Sequence, residues 1–513
     1  MTRLDSAMSH ENNPEFVSSP PNAYSLIEAL RGLGYSMPTA VADIVDNSIS
    51  ADAQNIGVFF DWAPDDTVLV HIEDDGCGMN EEALVRAMGL GLINPTGARS
   101  ENDLGRFGMG LKTASFSQCR SLTVASKPPG GKIAVLRWDL DEIKKNGTGW
   151  FMLRRISSAA ATIIEGLNAK KSGTVVIWEK LDRVVTPHFS RKHFLDLIDK
   201  VERHLSTTFH RFIAGDQRRV SIELNQRPVP SWDPFMLSNP ATWSSPEERR
   251  RIGNSLVSMR AHVLPHQDRL TAAESLSGGG EDGWTSQQGF YVYRNGRLMV
   301  SGGWLGLGER GRAWTLEETY RLARIRIDFQ NDADFDWKID IRKSVARPPV
   351  ELKERLIRIA VDCRTRARAV FAYRGATSRT ATNYDLSMWL VKHGDKGTLY
   401  GLNWQHPALE HLFELAGDRA SAIKDYLRLV ETTVPIQRIW IDAADDYELP
   451  RIEAELELSN ELREIASSIL ENSMQKKGNT LDQALTFLSK TEPFGLYPQL
   501  LSELRAKYSE KGL

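Results

Sequence analysis

Asp43 and Asn47 stand four residues apart in the stretch VADIVDNSISADA. On a helix, that spacing puts a carboxylate and a carboxamide on one face. Val41, Ile44, Val45 and Ile49 supply the apolar positions that would bury the rest. A carboxylate beside a carboxamide can hold a water and a hard metal ion. A D-x-x-x-N pair is common on solvated helices, so its weight comes from three stretches that follow in order. These are IEDDGCGM at 72–79, LGRFGMGLKTAS at 104–115 and GTVVIWEKLD at 173–182. In the first, a short apolar run delivers Asp74 to a turn, and Gly76 and Gly78 let a ligand approach the backbone closely. Alone it would be a strand followed by an Asp-Gly turn. In the second, Gly105, Gly108 and Gly110, interleaved with Phe107 and Met109, open the helix KTASFSQC. A helix N-terminus attracts phosphate through its N–H groups and dipole. Lys112 lies in that first turn, placed either to touch a phosphate or to face solvent.

These residues need elements to position them. Residues 23–33 read as a helix with Tyr24, Ile27, Leu30 and Leu33 on its buried face, stopped by Gly34. Residues 56–60 and 68–73 read as strands. Residues 80–88 read as a helix with Asn80 as its cap and Glu81 and Glu82 in its first turn. GLGLINPTGARSEND, 89–103, is Gly-rich and lacks periodicity; next to the glycine motif it reads as a lid, with Asn94 and Thr96 as candidates to touch a ligand. Strands at 121–126, 132–138 and 174–178 complete a sheet, and a helix over 191–212 closes the domain. His204 and His210 on that helix read as packing or surface residues, because no Cys or carboxylate partner has ligand spacing.

A second domain is expected from Val220, beginning with the strand SIELNQRPV. A loop at 274–288 precedes a hairpin over 289–300 around Asn295-Gly296. A strand follows at 322–329. The alternation Trp337/Ile339/Ile341 predicts a further strand that ends where Lys343 stands at a loop tip. The helix 350–375 carries Lys353, Arg355, Arg358, Arg364, Arg366, Arg368 and Arg374, a surface for nucleic-acid phosphates or a solvated face. After a linker at 376–383, residues 384–513 mix strands (SMWLVKHG, TLYGLNW, RIWID) with helices at 407–416, 420–430, 449–473, 480–489 and 496–509.

The chain has 513 residues and 41% apolar content, enough for about three domains. It holds no long uncharged apolar run, so no membrane span is expected. The N-terminus has no apolar core of an export signal. Cys77, Cys119 and Cys363 lack metal-ligand spacing, which points to a reducing, cytoplasmic setting. A net charge of −3 makes the whole chain no magnet for nucleic acid. Residues 1–22, polar and with Pro14, Pro20 and Pro21, read as a flexible tail.

Taken in order, the four stretches resemble the GHKL ATPase superfamily, which includes gyrase, MutL mismatch-repair proteins, ninety-kilodalton heat-shock chaperones, histidine kinases and MORC proteins. The resemblance is strong over 23–182 and usable to about 350. DIVDNSISADA is similar to the E-L-V-[DE]-N-[SA]-x-D-A of MORC and MutL proteins. The resemblance implies an α/β architecture: a GHKL (Bergerat) α/β sandwich ATPase domain over 23–215, a transducer-like α/β domain over 216–376, and a mostly helical C-terminal domain over 377–513. It implies ATP and Mg²⁺ as ligands. Asp43 takes the place of the usual Glu that polarises the attacking water, one methylene shorter, so turnover is expected to be slow; Asp46 is the alternative base. Asn47 matches the Mg²⁺ ligand, Asp74 the acceptor for the adenine amino group, and Met79 a residue packing on the ring. Gly173-Thr174 matches a G-T pair near adenine. Lys343 matches the lysine that reaches the γ-phosphate, with Lys338 next in line. The family further implies a homodimer formed on ATP binding, in which the N-terminal tail can be exchanged as a strap. A MORC-like clamp in DNA maintenance or defence against foreign DNA is the leading expectation. DNA would contact the basic helix, or a partner protein the C-terminal domain. A chaperone-like ATPase acting on proteins and a nucleotide-sensing scaffold with little hydrolysis are the alternatives. No histidine has the context of a kinase phospho-acceptor.

Overall fold

The structure, a computed structural model, describes residues 21–63, 67–92, 104, 109–146, 150–215, 218–253, 255–280, 282–309, 311–334, 336–338, 346–372, 386–394, 397–434 and 460–509. The chain divides into two compact units, Met1–Tyr373 and Arg374–Leu513.

In the first unit, α1 (Ala23–Arg31) starts on the Asn22 side chain, which accepts from the Ser25 N–H. It ends at Gly32, two residues before the glycine that the sequence nominates. Ser36 and Thr39 form a capping box for α2 (Met37–Ser50), with Pro38 pre-setting its first turn. Strands β1 (Asn55–Trp62) and β2 (Val68–Asp74) pair antiparallel. Helix α3 (Glu81–Met88) is capped by Asn80, whose side chain accepts from the Ala83 N–H, as its sequence predicts. Then come α4 (Gly110–Gln118), β3 (Ser121–Lys127), β4 (Ala134–Asp139), α5 (Leu140–Asn146), α6 (Ser158–Glu165) and β5 (Gly173–Glu179). The expected helix 191–212 is two helices, α7 (Arg191–Thr208) and α8 (His210–Ala214), because Phe209 leaves helical geometry between them.

The sheet runs β4-β3-β5-β2-β1-β6-β7, with β6 (Ser221–Leu224) and β7 (Arg227–Pro228) at its far edge. Every pairing is antiparallel except β1 with β6. The strand expected to begin the second domain therefore belongs to the first sheet. Its partner lies about 165 residues upstream (Ile56 opposite Ile222), and no local pattern announces such a parallel pairing. Helices α1, α2, α4 and α7 bury one face, with Ile27, Val41, Ile44, Val45, Phe116, Val201 and Leu205 in the core. On the other face α6 covers β3 and β5 through Ala160 and Ile164. Those two strands are consequently buried on both sides.

The second sheet follows in the same unit. It contains β8 (Trp243–Ser244), β9 (Glu248–Ile252), β10 (Ser255–Val263), β11 (Gly289–Arg294) and β12 (Arg297–Ser301). A small ribbon, β13 (Gly308–Glu309) with β14 (Arg312–Ala313), precedes β15 (Ala323–Phe329). The order is β12-β11-β15-β10-β8, with β9 paired to β10. The Asn295-Gly296 turn joins β11 to β12 as its sequence predicts, with φ of 48° and 80°. The expected loop 274–288 instead holds α9 (Ala272–Gly278) and α10 (Gly283–Ser286). A Thr271/Glu274 capping box explains the first of these. Trp337 lies in a turn, buried and stacked on Phe329 at 4.6 Å, rather than in the expected strand; Ile339, Ile341 and Lys343 lie outside the described residues. Helix α11 (Val350–Ala372) lays Leu352, Leu356, Ala360, Cys363 and Ala367 against the sheet.

The second unit pairs β16 (Trp389–Gly394) with β17 (Gly397–Leu402). Its helices are α12 (Pro407–Ala416), α13 (Ala420–Thr432), α14 (Asn460–Lys477), α15 (Leu481–Ser489) and α16 (Pro498–Ser509). Ala466, Leu470, Leu485, Leu488, Leu504 and Tyr508 form a core of their own. RIWID and residues 449–459 fall outside the described residues, as do residues 1–20 of the expected strap.

Candidate active site

Helix α2 is buried nearly all round, yet Asn47 in its third turn is exposed. One turn earlier, Asp43 is buried. Its Oδ2 accepts a hydrogen bond of 2.9 Å from the Tyr35 hydroxyl. A Cβ placed on Gly110 would sit 3.6 Å from that same oxygen, so the first residue of α4 faces the carboxylate across an ordinary van der Waals gap. Asp43 and Gly110, 67 residues apart in sequence, thus meet, and a larger side chain at 110 would fill the space between them.

Asp74 ends β2 and is buried. Its Oδ1 accepts from the Gly76 N–H at 2.9 Å and the Thr174 N–H at 3.1 Å, and its Oδ2 from the Ser48 hydroxyl at 2.8 Å. Burial raises its carboxyl above the usual range, against the pull of those bonds. Oδ2 keeps one further acceptor direction for a ligand's amino group. The Ser126 hydroxyl ties the surround together: it accepts from the Met79 N–H at 2.8 Å and shares a 2.8 Å bond with the Thr174 hydroxyl. Two glycines are required here by geometry. Gly78 has φ +63°, and a Cβ there would lie 2.0 Å from the Lys127 carbonyl oxygen. Gly173 has φ +150°, and a Cβ there would lie 2.2 Å from the Asp74 carbonyl oxygen. Met79 is half-buried against the main core.

A single helix therefore links the two ends of the site. Asp43 faces α4, and Ser48 holds Asp74. Five residues separate Asp43 from Ser48, about 7.5 Å along the axis. Tyr35, Ser48 and Ser126 were not singled out by sequence reasoning. Only Ser48 carried a signal, as the residue after Asn47 in the motif.

Met109 caps α4 without a side-chain hydrogen bond. Lys112 points elsewhere than expected. It is buried, and its ammonium donates to the carbonyls of Ala87 (2.9 Å) and Gly89 (3.0 Å) at the end of α3, where burial lowers its pKa to about 8. Asn94, Thr96, Gly105, Phe107, Gly108 and Lys343 lie outside the described residues. Lys338 is exposed with φ +46°, next to Trp337, whose carbonyl accepts from the Arg347 N–H. Asp46, the alternative base, is buried and held by Arg297 of β12. His204 and His210 are packed inside, and burial lowers them to about 4 and about 3; His210 shares a 2.8 Å bond with the Tyr293 hydroxyl.

Residues 35–174 match the family model described as histidine kinase-, DNA gyrase B-, and HSP90-like ATPase. Over these residues, and with the site just described, the chain is similar to GHKL-superfamily ATPases. Over 98 residues the chain is 33% identical to ATPase morc-1 of Caenorhabditis elegans, a match that covers 19% of this chain and 11% of that relative's length. Among the described residues no helix is long and apolar enough to cross a membrane.

Proposed function

We propose that this protein hydrolyses ATP with Asp43 as general base and uses nucleotide binding to operate a clamp between two copies of the chain. The observation that carries the proposal is that Asp43 on α2 faces Gly110 of α4, while Ser48, further along the same helix, holds Asp74, which also accepts from the Thr174 N–H. Asp74 accepts from the adenine amino group and the Thr174 hydroxyl borders the base. The phosphates lie toward the N-terminus of α4, where N–H groups and helix dipole favour negative charge. Asp43 takes a proton from water as its oxygen attacks the γ-phosphorus; the bond to the bridging oxygen breaks, and ADP and phosphate leave. Tyr35 orients Asp43, which compensates for a base one methylene shorter than Glu.

Asn47 is the residue that would hold Mg²⁺. It is exposed on a mostly buried helix, and an amide oxygen suits a hard ion. Among the described residues no group of three or more His, Cys, Asp or Glu could hold a metal by itself, which fits an ion that takes one protein oxygen and shares the phosphates. When bound, Mg²⁺ neutralises phosphate charge.

The output is DNA-directed in this reading, by analogy with MORC proteins. Of the basic residues on α11, Arg355 is paired with Glu248, and Arg364 is buried against Trp304, Trp314 and Tyr320. Lys353, Arg358, Arg366 and Arg368 remain exposed. Arg249, Arg250 and Arg251 stand exposed on the edge strand β9 and add to the positive surface. The test is mass in solution with a non-hydrolysable ATP analogue and Mg²⁺, with and without duplex DNA. Nucleotide-dependent dimerisation that is lost in Asp74→Asn supports the clamp. A mass unchanged by nucleotide refutes it.

A further inference from the structure

Arg297 opens β12, directly after the Asn295-Gly296 turn, and its side chain is buried. Its Nε donates to both carboxylate oxygens of Asp46, at 2.7 and 2.8 Å. Nη1 donates to the Leu298 carbonyl at 3.1 Å and to the Met299 sulfur at 3.4 Å. Nη2 stands 3.9 Å from Oδ1 of Asp43. One guanidinium from the second sheet thus faces two carboxylates on α2. His204 of α7 lies beside this group. The other arm of the hairpin has a matching device. Arg294 donates through Nη1 to the Leu104 carbonyl at 2.9 Å and grips Asp334 through Nε and Nη2 at 2.6 and 2.8 Å. Leu104 immediately precedes the G-x-x-G-x-G stretch. The hairpin tip therefore rests one arginine on the helix of the candidate base and another on the chain entering the glycine motif.

We infer that Arg297 is a positioning residue for hydrolysis, through which the second sheet sets the orientation of Asp43. The inference rests on Asp43 being the base. A buried Asp46 requires a counter-charge, and that need alone would be met by any cation on Asp46. The contact toward Asp43 exceeds it. Tyr35 holds Oδ2 from one side and the guanidinium faces Oδ1 from the other. The last torsion of an Asp side chain is intrinsically broad. A short base has little reach to spare, so its orientation decides whether a proton lies within hydrogen-bond distance. Arginine suits this place because its planar fork can face two carboxylates at once, and lysine matches only the charge.

The experiment measures turnover at saturating ATP and affinity for a non-hydrolysable analogue, alongside melting temperature. The variants are Asp43→Ala, Arg297→Lys, Arg297→Gln and the double variant Asp46→Asn/Arg297→Gln. Arg297→Gln is expected to lose turnover by about 10²-fold while analogue affinity stays within about threefold. Arg297→Lys recovers part of the loss. The double variant, in which neither charge is left unpaired, melts like wild type and remains slow. Wild-type turnover in the double variant overturns the inference, because Arg297 then serves only to neutralise Asp46. So does wild-type turnover in Arg297→Gln. Asp43→Ala turning over at the wild-type rate refutes the base itself, and the inference with it.

Discussion

Asp74→Asn separates ligand reading from structure. The carbonyl of Asn can replace Oδ1 and keep the Gly76 and Thr174 N–H groups, at 2.9 and 3.1 Å. Its NH₂ then stands where Oδ2 was. The Ser48 hydroxyl can turn to accept from it, but a ligand amino group meets a donor instead of an acceptor. Losing a hydrogen bond to a charged group and leaving a donor without a partner costs about 3 kcal/mol or more, roughly 150-fold in Kd. Fold stability should move the other way. Burial raises the folded carboxyl's pKa above its unfolded value, so the folded state holds the proton more tightly and the ionised form costs stability once pH exceeds the unfolded value. A neutral Asn removes that cost, and Tm at pH 7 is expected to equal or exceed that of the wild type. Calorimetric titration with a Mg–ATP analogue, paired with thermal melts, reads both quantities. A Kd within about threefold of wild type in a protein of normal Tm would show that Asp74 does not read the base.

Tyr35→Phe should slow turnover by about tenfold with analogue affinity unchanged, because one hydrogen bond on Asp43 is lost and nothing near the adenine end moves; an equal fall in affinity would place Tyr35 on the nucleotide. Gly78→Ala should cost at least about 2 kcal/mol in denaturant melts, since the residue must keep a positive φ while its Cβ meets the Lys127 carbonyl; a melt that matches wild type would contradict that geometry. Lys112→Met tests a buried cation. Its folded pKa of about 8 lies below the unfolded 10.5, so stability rises as pH climbs from about 8 to 10.5, by up to about 3 kcal/mol, and the variant should lack this rise. Loss of nucleotide affinity at unchanged Tm would instead put Lys112 on a phosphate. Changing Arg249, Arg250 and Arg251 together to Gln should weaken retention of duplex DNA at low salt and flatten its salt dependence; undiminished retention would exclude β9 from the contact.

What was legible in the sequence is what a local pattern can encode. The face shared by Asp43 and Asn47 followed from a spacing of four, the Asn80 cap from its neighbours, and the place of the β11–β12 turn from Asn-Gly. Gly76 and Gly78 were read as leaving room for a ligand; the structure shows that they, with Gly173, also lie against neighbouring backbone at Ala51, Lys127 and Asp74. The contacts that orient these residues were not legible, because they join distant positions through side chains with ordinary local roles. Ser48 meets Asp74 across 26 residues and Arg297 meets Asp46 across 251. Nothing near Ser126 distinguishes it from a strand serine that satisfies itself. Lys112 was expected on a phosphate or facing solvent; helical position gives a direction but not a depth, and its ammonium lies buried on the carbonyls at the end of α3. The strand SIEL was assigned forward along the chain when its partner lay behind it.

That backward pairing bears on how the molecule can be cut and recombined. A fragment ended after α8 would lose β6 and uncover the edge of β1, an invitation to pair with foreign strands. It would also keep Asp46 buried while discarding the guanidinium that answers it. The nucleotide-binding part is therefore not a portable cassette. Any fusion, truncation or natural recombination that preserves it must carry the chain from α1 through β12, so that residues 23–301 are inherited as one piece.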